Sequence, residues 1–354
     1  MKNIYLQFLD LLSDKSNLVL ATVTSTFGST PQKPGSSAIF DDSGLIAGTV
    51  GGGVVERKVV KLAGEAILSK KSSHCHFNLG NDISKSDEAI CGGQISVLID
   101  GNIMNHKYVF EQLKKSMEDR ILGVLITMVT AFTEDNVLIN RYWMTGTVIP
   151  PIPDTFLEKI EPVVITMLEG GNQSDYRELE LKIPDEEPSS LFFLEAVFPP
   201  SKLVIAGAGH VGRALAHLAD MLDFVVTVID DRPEFACIEN IPEASNLIVS
   251  DIGQAIEDLK KTKDTYIVIV THGHKDDAAA LKSCIRSEVA YIGMIGSKVK
   301  IAAIRENFIR NGWATIGQWE AVHTPIGLEI KSRTVAEIAL SIAAQLVLVR
   351  NSTK

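Results

Sequence analysis

The run SKLVIAGAGHVGRALAHLADML, residues 201–222, restricts the fold more than any other part of this chain. A short apolar stretch leads into G-x-G-x-x-G, formed by Gly207, Gly209 and Gly212, and a segment of helical periodicity follows at once. In such a strand–turn–helix the first glycine permits a tight turn and the second lets backbone approach a phosphate. The third lets the helix pack on the strand. The helix start, from His210, offers unpaired N–H groups and a partial positive charge to an anion. Asp230 closes the next apolar run, VVTVID, eighteen residues after Gly212, where a carboxylate can accept hydrogen bonds from a ribose-like diol. The expectation is a phosphate-containing, nucleotide-like ligand. A Rossmann-type scaffold whose site is vestigial is the alternative.

After residue 200 apolar runs and helical stretches alternate: KLVIAG, VVTVID, NLIVS, YIVIVTH and AYIGMIG read as strands. That spacing predicts a doubly wound, Rossmann-like α/β domain, a parallel sheet with helices on both faces. The first half mixes short strands (LVLATVTST, SAIFD, LIAGTV, CHFNL, QISVLID, ILGVLITMV, NVLINRYWM) with three helical stretches and reads as α+β. Residues 171–190 are polar and carry Pro184 and Pro188, and Pro199-Pro200 stands just before the glycine-rich run. The expected domains are therefore 1–198 and 199–354.

A net charge of −10 argues against extensive contact with nucleic-acid phosphate, while leaving room for a small anionic ligand. The apolar run between Glu337 and Arg350 is short for a bilayer and broken by Ser341 and Gln345. The N-terminal helix carries Asp10 and Asp14, unlike the apolar centre of a secretory signal. The four cysteines form no C-x-x-C pair. No membrane association, a cytoplasmic location and reduced thiols are the expectations.

Two further clusters follow later strands. In Thr271-His272-Gly273-His274-Lys275-Asp276-Asp277 the two histidines and an acid can ligate a metal, bind an oxyanion, or act as acid and base. Equally, His274 or Asp276 can simply cap the next helix. A zinc site is not the expected outcome, because only a distant residue such as His323 completes the ligand set. Gly296 and Ser297, before Lys298, are either a turn aimed at a ligand or an ordinary turn with a serine cap. In the first half, Gly51-Gly52-Gly53 precede a helix without a following G-K-[ST], so the loop is not a Walker A motif. Cys91, followed by Gly92-Gly93, is either an accessible thiol suited to a soft metal or to sulfur, or an inert packed residue.

Taken together these segments resemble the XdhC/CoxI family, the accessory factors of xanthine dehydrogenase and related molybdenum hydroxylases. The resemblance rests on TSTFGSTPQKPG, GTVGGGVVE and ICGG in the first half. In the second it rests on LVIAGAGHVGRAL, VTVIDDRPEFA, THGHKDD, YIGMIGSK and HTPIGLEI. It implies a protein, not itself a catalyst, that binds the molybdenum cofactor, a phosphate-bearing pyranopterin dithiolene. Such a protein protects the cofactor while its sulfido ligand is installed and helps insert it into the client enzyme. A xanthine dehydrogenase-type molybdoenzyme, a cysteine desulfurase and a second copy of the chain are the implied partners. The residues carried over as cofactor contacts are Gly207, Gly209, His210, Gly212, Asp230, His272, His274, Gly296, Ser297 and Cys91. One departure is Val54, where many relatives place a cysteine. It removes a thiol role there and leaves Cys91 as the motif-associated thiol of that domain.

The competing reading is an NAD(P)-dependent oxidoreductase, favoured by the fingerprint and Asp230 but without a recognisable hydride-transfer constellation. A metal-dependent hydrolase on His272, His274 and Asp276, and a dinucleotide-binding redox sensor, are further rivals.

Overall fold

The computed structural model describes residues 3–15, 17–79, 93–133, 136–170, 176–182 and 189–352. The chain divides into two compact units, Lys2–Pro199 and Pro200–Lys354.

The first unit opens with helix α1 (Ile4–Leu11), followed by β1 (Val19–Phe27), β2 (Ser37–Asp41), β3 (Gly44–Gly48), α2 (Gly53–Ser69), β4 (Ser73–Asn78) and β5 (Gln94–Asp100). A 3-10 turn (Ile103–His106) leads into α3 (Lys107–Glu118), β6 (Gly123–Thr133), β7 (Asn136–Thr145), α4 (Asp154–Gly170), β8 (Tyr176–Leu181) and β9 (Ser190–Val197). The strands form two antiparallel sheets, ordered β3-β2-β1-β5-β4 and β7-β6-β9-β8. Period-two alternation along β1 serves two cores at once. Val19, Ala21 and Val23 pack with Val55, Val59 and Ala63 of α2. Leu18 and Leu20 turn the other way, into a cluster with Leu125, Trp143 and Val197 of the second sheet. That second sheet buries Val124, Ile126, Phe192 and Leu194 against Phe156, Ile160 and Val164 of α4. The layers are helix, sheet, sheet, helix.

Here the structure departs from the expectation. The segment 171–190, read as polar, contains the strand β8, and Ser190–Val197 is a strand beside it. The charges of β8 hid it: Arg177, Glu178 and Glu180 are exposed, while Tyr176 and Leu179 pack on the sheet. A one-sided edge strand of this kind has few apolar residues to announce it.

The second unit runs β10 (Lys202–Ala206), α5 (His210–Met221), β11 (Val225–Asp230), β12 (Asn246–Val249), α6 (Ile252–Asp258), β13 (Thr265–Ile269) and α7 (His274–Lys282). It continues with β14 (Tyr291–Met294), α8 (Lys298–Arg310), α9 (Ile316–Glu320) and α10 (Val335–Ser352). All five strands are parallel, in the order β12-β11-β10-β13-β14. On one face Leu203, Ile205, Val226 and Val268 meet Leu215 and Ala219 of α5 and Ile342 and Leu346 of α10. On the other, Val204, Ala206, Ile267 and Ile269 meet Ile256, Leu281, Phe308 and Trp319. This is the doubly wound sheet expected from the alternation. The sheet order reverses direction between β10 and β13, the switch point at whose carboxyl ends ligands bind in such folds.

The C-terminal apolar run forms a longer helix than its sequence suggested. Among the described residues α10 alone has the length and composition of a membrane span. Its Ala339, Ile342, Ala343 and Leu346 are core residues of this unit. Its polar residues are used internally too, since Gln345 accepts hydrogen bonds from the Tyr291 hydroxyl (2.6 Å) and the Gly327 N–H (2.8 Å).

Candidate functional site

The glycine-rich turn joins β10 to α5 at the switch point. Gly207 has φ +113°, and a Cβ there would lie 2.5 Å from the Val270 carbonyl oxygen and 3.0 Å from the Thr271 Cα. Only glycine allows this contact, which sets the turn directly against the chain leaving β13. A Cβ on Gly212 would come within 1.9 Å of the Gly207 carbonyl oxygen, so the third glycine is what lets α5 start so close to its strand. Around Gly209, in contrast, no heavy atom stands within 4 Å of the Cβ position. Gly209 is the N-cap of the twelve-residue α5 and supplies no side-chain cap. The first-turn N–H groups are thus served by no capping side chain, and the backbone is open on that side. His210 is exposed at the same turn.

Asp230 is buried at the end of β11 and braces this turn. One carboxylate oxygen accepts from the Ala208 N–H (2.7 Å) and from Arg232 Nη2 (3.0 Å). The other accepts from Arg232 Nε (2.8 Å) and the Arg232 N–H (3.1 Å). Burial alone would raise its pKa, but these hydrogen bonds hold the carboxyl below the usual range. The guanidinium in turn lies 3.9 Å over the Phe235 ring. The carboxylate that the sequence offers to a ribose-like diol is therefore already engaged on both oxygens.

Beyond β13, His272 and His274 are exposed, the first in the turn and the second opening α7. The N-cap of α7 is Gly273, with no side-chain cap, so neither His274 nor Asp276 takes that part. The fully buried acid of the segment is Asp277. It accepts from the Thr271 hydroxyl (2.6 Å) and pairs through its other oxygen with the Lys300 ammonium from α8. Ser297 caps α8, its hydroxyl accepting from the Lys300 N–H at 3.3 Å. Gly296 lies just before it, a Cβ there standing 3.3 Å from the Lys300 side chain.

A chain of contacts thus links three separate sequence motifs: the Gly207 turn touches Thr271, Thr271 bonds Asp277, and Asp277 holds Lys300 in the first turn after Ser297. Lys300 was not legible as part of the site, although its place in the first turn of a helix after a glycine turn was a usable signal. Three helices, α5, α7 and α8, begin at the carboxyl ends of β10, β13 and β14, so their N-termini, where helix dipoles favour negative charge, lie along one rim of the sheet.

His323 lies at the sheet edge. Its N–H donates to the Ile292 carbonyl (2.9 Å), its carbonyl accepts from the Met294 N–H (3.0 Å), and its ring stacks on Tyr291 at 4.5 Å. Burial lowers its pKa. Among the described residues no group of three or more His, Cys, Asp and Glu side chains is placed to hold a metal ion. Cys284 is fully buried, and burial pushes its thiol up to about 12. Cys91 lies outside the described residues.

In the first unit the loop before α2 has positive φ at Gly51, Gly52 and Gly53, and Gly52 is an N-cap without a side-chain bond. The Thr49 hydroxyl spans this loop, accepting from the Gly51 N–H (3.1 Å) and donating to Glu56 (3.0 Å). Val54 occupies the first turn that follows.

Two family models match parts of this chain, one in each unit. The model of the XdhC Rossmann domain matches residues 203–346, and that of the XdhC and CoxI family matches residues 11–78. The chain is 25% identical over 346 residues to a probable xanthine dehydrogenase subunit of Bacillus subtilis (strain 168), covering 96% of this chain and 95% of that protein. It is 22% identical over 351 residues to the uncharacterized protein YqeB of Escherichia coli (strain K12), covering 99% of this chain and 47% of that one. A crystal structure described as a xanthine dehydrogenase from Bacillus halodurans superimposes with a TM-score of 0.78 at 24% identity, covering 99% and 96% of the two chains, and shares the fold.

Proposed function

Because the chain belongs to the XdhC and CoxI family, we propose that it is an accessory protein of a xanthine dehydrogenase-type molybdoenzyme. In this reading it binds the molybdenum cofactor, shields it during sulfuration, and helps pass it to the client. The cofactor is cargo, and the protein contributes binding and exclusion of water rather than a catalytic group. A cysteine desulfurase, docking in the cytoplasm, would supply the sulfur.

The observation that carries this reading is the open backbone at Gly209, at the head of an uncapped α5, in a member of this family. A phosphate group there meets N–H donors and the positive end of the helix without displacing any side chain. Gly207, Gly209, His210 and Gly212 form the phosphate turn. His272, His274, Gly296 and Ser297 line the neighbouring turns and contact the polar edges of the pterin. Asp230 acts by holding the turn in place rather than by touching the ligand, since Arg232 and Ala208 occupy it. The same fact weakens the dehydrogenase reading, in which that carboxylate receives ribose hydroxyls.

The test is purification without oxygen from a host that makes molybdopterin, followed by native mass spectrometry and analysis of the released small molecules. A bound pterin species, lost in Gly209→Asp and weakened in His272→Ala, is the expected result. Release of NAD(P) in place of pterin, or pterin affinity unchanged in both variants, overturns the proposal.

A further inference from the structure

Inside the first unit a polar pocket lies between the two sheets, walled by Tyr5, Thr127, Arg141, Tyr176 and Glu195 beside Leu98 and Phe193. Its position follows from register: Tyr176 of β8 and Glu195 of β9 are directly opposed, so both side chains leave the sheet on one face. The Tyr176 ring lies 6.3 Å from Phe193, nearly parallel to it, and a Cβ on Gly35 would touch its edge at 3.3 Å. These contacts fix where the hydroxyl points.

Most polar groups around the pocket have partners. The Tyr5 hydroxyl donates to Glu195 at 2.5 Å. Arg141 pairs with the buried Asp100. Thr22 bonds Ser37 at 2.9 Å and Thr24 bonds His74 at 2.8 Å. The Tyr176 hydroxyl is buried and has no hydrogen-bond partner among the described residues. Native proteins rarely leave such a group without a hydrogen bond. Beside it, the pocket has room for one water molecule.

The geometry points to a binding site for a single neutral molecule that both donates and accepts, and we propose that its occupant is one water bridging the Tyr176 hydroxyl and the Glu195 carboxyl. The walls offer an ion no free partner: Arg141 is paired with Asp100, the Glu195 carboxyl already accepts from Tyr5, and Leu98 and Phe193 solvate no charge. An apolar guest would leave the tyrosine unsatisfied. The water completes the side-chain hydrogen bonding of the β8–β9 pair at the point where α1 meets it through Tyr5.

Water-oxygen and deuteron magnetic relaxation dispersion on the full chain counts long-lived internal waters, and differences between variants isolate one site. Tyr176→Phe keeps the ring and removes the hydroxyl, so the count should fall by one. Glu195→Gln keeps an acceptor, so its count should match the wild type. An unchanged count in Tyr176→Phe overturns the proposal. So does a crystal structure showing ordered water elsewhere but none within hydrogen-bond reach of Tyr176 Oη.

Discussion

Glu195 makes the stability of the first unit depend on pH in a direction opposite to that of its buried histidines. Burial pushes its carboxyl from 4.5 up to about 7, against the smaller opposing effects of the Tyr5 hydrogen bond and Arg141. The folded chain therefore keeps this proton between those two values while the unfolded chain has lost it. The stabilisation is fully present below 4.5 and is lost as pH rises through about 7. At ~1.4 kcal/mol for each pH interval of one, the whole window amounts to about 3 kcal/mol. Glu195→Gln carries no titrating group at the site, so its stability should match wild type near pH 4.5 and exceed it by ~2–3 kcal/mol at pH 8. Asp100, Arg141, His74, His106, Tyr5 and Tyr176 are common to both proteins and cancel in the comparison. The assay is urea unfolding across this range, followed by Trp143 fluorescence with Trp313 and Trp319 replaced by Phe. Parallel pH profiles for the two proteins would refute the reasoning, because they would place the Glu195 proton on both states or on neither.

His74 and His106 act in the other direction. Burial lowers both from 6.5 to about 4, so their contribution is present above 6.5 and lost as pH falls through about 4, visible as acid unfolding that His74→Gln shifts to lower pH. In the second unit, Gly212→Ala should destabilise by ~1–3 kcal/mol because the new methyl meets the Gly207 carbonyl, as urea unfolding will show. Gly209→Ala meets nothing and should leave unfolding within about 1 kcal/mol of wild type. Lys300→Met strands the fully buried Asp277 and should cost about 3–5 kcal/mol, with Asp277→Asn in the same chain restoring part of the loss. Iodoacetamide should label Cys237 in the folded protein and reach Cys284 only after unfolding, as peptide mass spectrometry will resolve.

The elements that read clearly from sequence are those whose pattern is local. KLVIAG, VVTVID and YIVIVTH are continuous apolar runs because each strand is buried on both faces, and the Gly207, Gly209 and Gly212 spacing marks the turn between strand and helix. β8 was hidden because its Arg177, Glu178 and Glu180 face solvent and its partner strand lies next to it only after folding. The Asp277–Lys300 pair joins residues 23 apart, on different helices, and no period in the sequence connects them. Glu195 was overlooked, yet one acid inside the apolar run LFFLEAV was a signal of a half-buried, partnered carboxyl. For Asp230 the residue and its place at the strand end were legible, but its occupation by Arg232 two positions on depends on side-chain geometry that spacing does not encode.

The pairing of His323 with β14 also bears on how this sheet meets other chains. The carbonyls of Ile292 and Met294 are taken by the N–H groups of His323 and Ile326, and the Met294 N–H is taken by the His323 carbonyl. The rim of the sheet at β14 is thereby sealed by the chain's own backbone and gives an incoming strand no template. The opposite rim, β12, is four residues long and includes the exposed Asn246 and Val249. Of the two rims, β12 is the one better suited to strand-to-strand association through this sheet, whether useful or aggregative.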